Sequence, residues 1–205
     1  MADRKTAEQI MKRKAVIRTE IERHLPKEQA DALWRQATER LASIMERYAN
    51  LPEGLRPHTD ARIFPSAAIY LTAKQRVGQK AAYGFIEDAA VALTGKTAIK
   101  LAKLLRLPGM RGLFIRIWDP LTRKIFGPNN GFKNVFHPKE KGAFRMDILA
   151  CPYFRYFTEL GCPELTRIFC ENDDRMYGNL PGIAFERTGT LGKGAQRCDF
   201  CIRKA

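Results

Sequence analysis

The sequence predicts an α+β protein: a mainly helical N-terminal part, residues 1–126, packed on a mixed C-terminal part, residues 127–205, with an antiparallel sheet. Three observations predict it. Apolar residues recur every three or four positions through most of the first 126 residues. The period changes to alternation at 144–150, FRMDILA. Two further runs, GIAFERTGTL (182–191) and RCDFCIR (197–203), flank the turn GKGAQ and read as an antiparallel hairpin. The two parts are read as one integrated domain.

Residues 4–24 read as an amphipathic helix on Ile10, Ala15, Ile17 and Ile21, interrupted by Pro26. His24, at its end, suits the negative pole of the helix and is not read as a ligand. A second helix over 27–49 carries one stripe that includes Leu33, Ala37, Leu41, Ile44 and Tyr48. Residues 50–65 hold three prolines and a glycine and read as a connection, with His58 in it. Helix returns over 66–94, and again over 96–107 until Pro108-Gly109 breaks it. The next stretch, LFIRIWDPLTRKIFG, mixes aromatic and aliphatic residues with cations. Residues 127–142, rich in Gly, Pro and Asn, read as a loop, with His137 set before a proline.

At 205 residues, with 45% hydrophobic content, the chain can bury a core without disulfide staples. Nowhere do 18 apolar residues run together, and the charged N-terminus lacks the apolar segment of a secretory signal. Five cysteines in such a chain point to reduced thiols in the cytoplasm, and an odd number argues against a disulfide framework. The net charge of +14 could attract an anionic partner. The cations are dispersed and form no nucleic-acid-binding motif, so nucleic acid is not expected as a partner. The basic and apolar block 96–126 is open to peripheral contact with an anionic membrane, to packing on the core, or to contact in a homo-oligomer.

The cysteines are confined to the last third of the chain, at positions 151, 162, 170, 198 and 201. Cys151-Pro152 and Cys162-Pro163 each set a cysteine before a residue that favours the first position of a helix. Amides and dipole at a helix start favour a thiolate, so Cys151 and Cys162 are the candidate nucleophiles. Cys170 lies inside a helix with Asp173 and Asp174 on its face. Carboxylates oppose a thiolate there, which disfavours Cys170 as a free nucleophile and suits a metal ligand. Cys151, Glu159, Cys162 and Cys170 together have the composition of a four-coordinate zinc set. Cys198 and Cys201 are three apart in a strand and so point to opposite faces, with at most one of them reaching a site.

The pieces Cys151-Pro152, GCPELTRIFCENDD and FERTGTLGKGAQRCDF, with the phenylalanines of the preceding loop, resemble the L-2-amino-thiazoline-4-carboxylic acid hydrolase family. The resemblance is good over 125–201, and Cys201 falls one residue beyond its pattern. It implies a hydrolase that opens a small cyclic thiazoline or amidine to a carbamoyl-cysteine. More distantly, the cysteine and glutamate spacing resembles 4-vinyl-reductase-type domains, which implies small-molecule or zinc binding without catalysis. Both imply a ligand cavity in an α+β domain. Laid onto such a ring opening, Cys162 or Cys151 would attack the amidine carbon. Asp173 would position or deprotonate water. Arg187 would take the substrate carboxylate, with Thr188, Thr190 and Cys198 nearby.

Overall fold

The structure, a computed structural model, describes residues 4–205. It is α+β, and its strands all lie in the C-terminal part. The chain forms two compact units that do not follow sequence order. The first comprises the described residues up to Ala90 with Tyr156–Leu165; the second comprises Val91–Arg155 with Thr166–Ala205.

The first unit is helical. It contains α1 (Arg4–Lys12), α2 (Ala15–His24), α3 (Lys27–Arg47), α4 (Arg56–His58), α5 (Phe64–Val77) and the start of α6 (Gln79–Leu105). The stripe read on the second predicted helix is the buried one, with Leu33, Ala37 and Leu41 fully enclosed against α5. The connection expected over 50–65 is instead helical: a 3-10 turn (Glu53–Leu55), α4 and a π turn (Thr59–Ile63) lead into α5. Its prolines permit this because Pro57 and Pro65 fall in first turns, where no amide is missed. His58 is buried in this run. Gly78, at φ +83°, separates α5 from α6, a conformation an L side chain resists.

The segment Tyr156–Leu165 is held in the first unit by rings and carboxylates. Tyr156 meets Tyr48 and Phe64 edge-on at 5.5 and 5.9 Å. Tyr48 donates to Glu159 at 3.0 Å, and Tyr70 donates to Glu164. Phe157, Cys162 and Leu165 are fully buried.

The second unit carries the sheet. Strands β1 (Lys133–Phe136), β2 (Ala143–Ala150), β3 (Ile183–Glu186) and β4 (Cys198–Lys204) pair antiparallel in the order β1-β2-β4-β3. In register, Phe144 faces Ile202 and Met146 faces Phe200, which makes one apolar face. Helix α7 (Met110–Ile125) covers it with Phe114, Ile115 and Trp118, and Leu105 of α6 joins the cluster. The Trp118 and Phe200 rings stack at 6.2 Å. Helix α9 (Leu165–Tyr177) closes the cluster through Tyr177, edge-on to Trp118 at 4.9 Å. Helix α8 (Pro152–Glu159) begins in this unit, and Gly161, at φ +75°, follows its end. The loop expected over 127–142 thus contains β1, and the strand expected over 182–191 stops at Glu186. Among the described residues no helix is long and apolar enough to cross a membrane.

Candidate active site

One face of α9 and the turn between β3 and β4 build the site. Thr166 and Cys170 are four residues apart and share that face. The chain leaves β3 at Glu186 and turns sharply, because the Asp199 carboxylate accepts from the amides of Thr188 (2.9 Å) and Gly189 (2.7 Å) and from the Thr188 hydroxyl (2.7 Å). A single helical turn, Leu191–Lys193, then lies against α9. At Gly192 a methyl group would stand 3.0 Å from Cys170 Sγ and 3.0 Å from Thr166 Cγ2, so a larger residue would crowd both side chains. One residue earlier, the Leu191 amide donates to Cys198 Sγ at 3.2 Å. Two consecutive residues of one turn therefore touch the sulfurs of Cys170 and Cys198.

This arrangement favours the thiolate of Cys170. The Cys198 S–H donates to it, and this bond does most to pull its pKa down to about 6; burial opposes, while the Thr190 hydroxyl, the Gly192 amide and the Arg187 guanidinium assist. Cys198 correspondingly keeps its proton, because losing it would set a second anion against Cys170. Cys170 is half-buried, whereas Cys198 and Thr190 are buried. The Thr166 hydroxyl makes no hydrogen bond to another protein group.

Arg187 is the brace. Only 5% of its side chain is exposed, and its fork reaches Asp173 Oδ2 (3.1 Å), Asp174 Oδ2 (2.5 Å) and the Cys170 carbonyl (2.7 Å). It ties the end of β3 to α9 at Cys170, and both of its terminal nitrogens bond within the protein. Burial pushes the Asp173 carboxyl up to about 7, with the Arg187 charge pulling the other way. Because 38% of that side chain meets solvent, water tempers the shift.

The remaining expected residues fall as follows. Cys151 does cap α8, and the amides of Tyr153 and Phe154 favour its anion; burial is larger and pushes its thiol up to about 12. Its neighbours include Cys170 and Asp173, whose charges act in the same direction as burial. Cys162 belongs to the first unit and does not cap a helix, since Pro163 and Glu164 form a turn before α9 begins at Leu165. Burial and the Glu164 charge raise its thiol to about 12 as well. Of the five cysteines, Cys170 is the one whose surroundings lower its pKa. The acids that argued against Cys170 turn their charge toward Arg187. Thr188 spends its hydroxyl on Asp199. Cys201 lies on the opposite face of β4 from Cys198, near Arg145 and Glu186.

Of the four residues expected for zinc, Glu159 accepts from Tyr48 and Cys162 is fully buried in the first unit, while Cys151 and Cys170 belong to the second. Among the described residues no group of three or more His, Cys, Asp or Glu side chains is arranged to hold a metal ion. A cavity of about 280 Å³ does open in the second unit between α7 and the β1–β2 hairpin, lined by Arg116, His137, Arg145 and Lys204 among others. None of the cysteines lines it, so the reactive group and this opening are separate features. Thr166, Leu191 and Gly192 are site residues that sequence reasoning missed. Only Thr166, one turn before Cys170, carried a readable signal.

Comparison with curated proteins found no match, and comparison with solved structures found none. The family model for L-2-amino-thiazoline-4-carboxylic acid hydrolase matches residues 56–202. That span holds every residue of the cysteine site and extends forward through α4 to α7, well beyond the C-terminal stretch whose motifs suggested it. The match covers more than half of the chain, and the protein belongs to the L-2-amino-thiazoline-4-carboxylic acid hydrolase family.

Proposed function

We propose that the protein is a hydrolase that opens a small cyclic amidine of the thiazoline type, with Cys170 as nucleophile. The observation that carries this reading is the setting of the Cys170 sulfur beside the Cys198 S–H and the Gly192 amide, on a helix braced by Arg187, which lowers its pKa. Family membership supports the reaction class.

In this reading the Cys170 thiolate adds to the amidine carbon and forms a carbon–sulfur bond. The ring carbon–sulfur bond then breaks, and the departing sulfur takes a proton. Asp173, titrating near neutrality, would supply that proton and later take one from the attacking water. Water adds to the same carbon, Cys170 leaves as thiolate, and a carbamoyl product with a free thiol remains. One water is consumed and no electrons change hands. The Thr166 hydroxyl, which has bonding capacity to spare on the same helix face as Cys170, would steady charge on the amidine nitrogens as the carbon becomes tetrahedral. Arg187 acts as a positioning residue, since its fork already spans two carboxylates and a carbonyl.

The reading in which the domain binds zinc without catalysis has less support, because among the described residues no group of three or more His, Cys, Asp or Glu is arranged to hold a metal ion. The test is turnover of 2-amino-thiazoline-4-carboxylate, followed by appearance of free thiol. Loss of thiol release in Cys170→Ser, with Cys162→Ala near wild type, supports the assignment. Equal activity in wild type and Cys170→Ser would remove it.

A further inference from the structure

The proposed site leaves a conspicuous feature of the second unit unused. Helix α7 is sharply two-sided. Its inner side buries Phe114, Ile115 and Trp118 on the sheet, while Leu113, Ile117 and Leu121, spaced by four, are exposed on the other side. The C-terminal half of α6 repeats the pattern. Leu101, Ala102 and Leu105 pack on the same cluster, while Leu93 and Leu104 remain outside, with Leu107 beyond the helix end 56% exposed. Leu93 and Leu104 are eleven residues apart, which is three turns and returns to one side of the helix. Both helices are therefore anchored inward and apolar outward.

The same stretch is strongly basic. Between residues 96 and 124 it carries eight Lys and Arg and one acid, Asp119. Among the described residues, Arg123 is the one cation of the eight with an ion pair, to Asp119. Lys96, Lys100 and Lys103 follow the exposed side of α6, and Lys124 ends α7. Long lysine stems cover apolar surface while their heads reach outward, an arrangement suited to a boundary between hydrocarbon and charged headgroups.

We infer that the outer sides of α6 and α7 in the second unit form a docking surface for an anionic membrane. Exposed leucines and isoleucines alone would also fit a second copy of this chain. The charge decides against that occupant, since two such basic surfaces brought together repel each other, and the whole chain is +14. An anionic lipid surface meets both requirements, because it neutralises the lysines and accepts the apolar side chains at its acyl boundary. Neither helix is long and apolar enough to cross, so the surface lies on the membrane and does not span it.

The test is sedimentation of the full chain with vesicles of phosphatidylcholine alone, or with a third of the lipid replaced by phosphatidylglycerol. Binding to the mixed vesicles alone is expected. It should weaken about tenfold in the exposed pair Leu113→Glu with Ile117→Glu, and by a similar factor in Lys100→Glu with Lys103→Glu. Far-ultraviolet circular dichroism checks that the pairs remain folded. No sedimentation with the mixed vesicles would overturn the inference, as would equal binding to neutral ones. Undiminished binding by the Leu113/Ile117 pair would reduce the contact to bulk charge and overturn it too. A dimer in sedimentation velocity that dissociates in that same pair would assign the surface to a second copy instead.

Discussion

Removing the sulfhydryl of Cys198 tests the electrostatics of the site most sharply. With its pKa pulled from 9.0 to about 6, Cys170 is roughly nine-tenths ionised at pH 7, against about one-hundredth for an ordinary thiol. The largest single cause is the S–H donated by Cys198. A hydrogen bond to a charged group contributes about 1.5–3 kcal/mol, or about one to two pH units. Cys198→Ala should therefore move the Cys170 midpoint from near 6 to about 7–8, while Cys198→Ser, which keeps a donor, should leave it closer to 6. The assay is the rate of iodoacetamide alkylation against pH, with the labelled residue mapped by peptide mass. Cys151 and Cys162, held near 12, should stay silent across this range. The sign also reaches stability. A thiol more acidic in the folded state contributes stability that is complete above pH 9 and lost as the pH falls through 6, so the Cys198→Ala loss of stability should be larger at pH 8 than at pH 5. A wild-type midpoint above 8, or a midpoint that does not move in Cys198→Ala, would refute the reasoning.

Four other substitutions follow, three at the site and one away from it. Gly192→Ala places a methyl 3.0 Å from Cys170 Sγ and from Thr166 Cγ2, so thermal melting should show a loss of about 1–3 kcal/mol and alkylation of Cys170 should change with it. Arg187→Ala strips the link from Asp173, Asp174 and the Cys170 carbonyl; because both carboxylates are partly solvated, chemical denaturation should report about 2–3 kcal/mol, below the loss for a fully enclosed pair. Arg187→Lys should recover only part of this, since an ammonium cannot replace the fork. In the first unit, Tyr70→Phe takes from Glu164 a buried donor and leaves it with Lys74, at an expected cost of about 1 kcal/mol with no change in Cys170 reactivity.

What was legible in the sequence was largely local. The α3 stripe reads directly because helical periodicity reports which side is buried. Cys198 and Cys201 read as opposite-facing because strand alternation requires it. The 50–65 segment misled because three prolines suggest a loop, yet proline is neutral in the first turn of a helix, and two of the three stand there. β1 was hidden by its length: four residues after an Asn-Gly turn give too little alternation to recognise. The site failed differently. The helix-start argument for Cys151 is physically sound, but it omits burial, which is larger and can be known only from packing. Spacing sets Asp173 and Asp174 beside the Cys170 sulfur, but Arg187, next to β3, and Cys198, on β4, reverse the local field from positions distant in sequence. Groups distant in sequence decide which of several cysteines ionises, and no spacing rule reports them.

The central claim is that Cys170 is the nucleophile of a ring-opening hydrolase. The measurement that meets it most directly is intact-protein mass spectrometry of the enzyme quenched in acid during turnover of 2-amino-thiazoline-4-carboxylate, with the modified peptide sequenced. The account predicts an adduct of one substrate mass on Cys170, absent in Cys170→Ser. Turnover with the adduct on Cys151 or Cys162, or turnover that persists in Cys170→Ser, would contradict it.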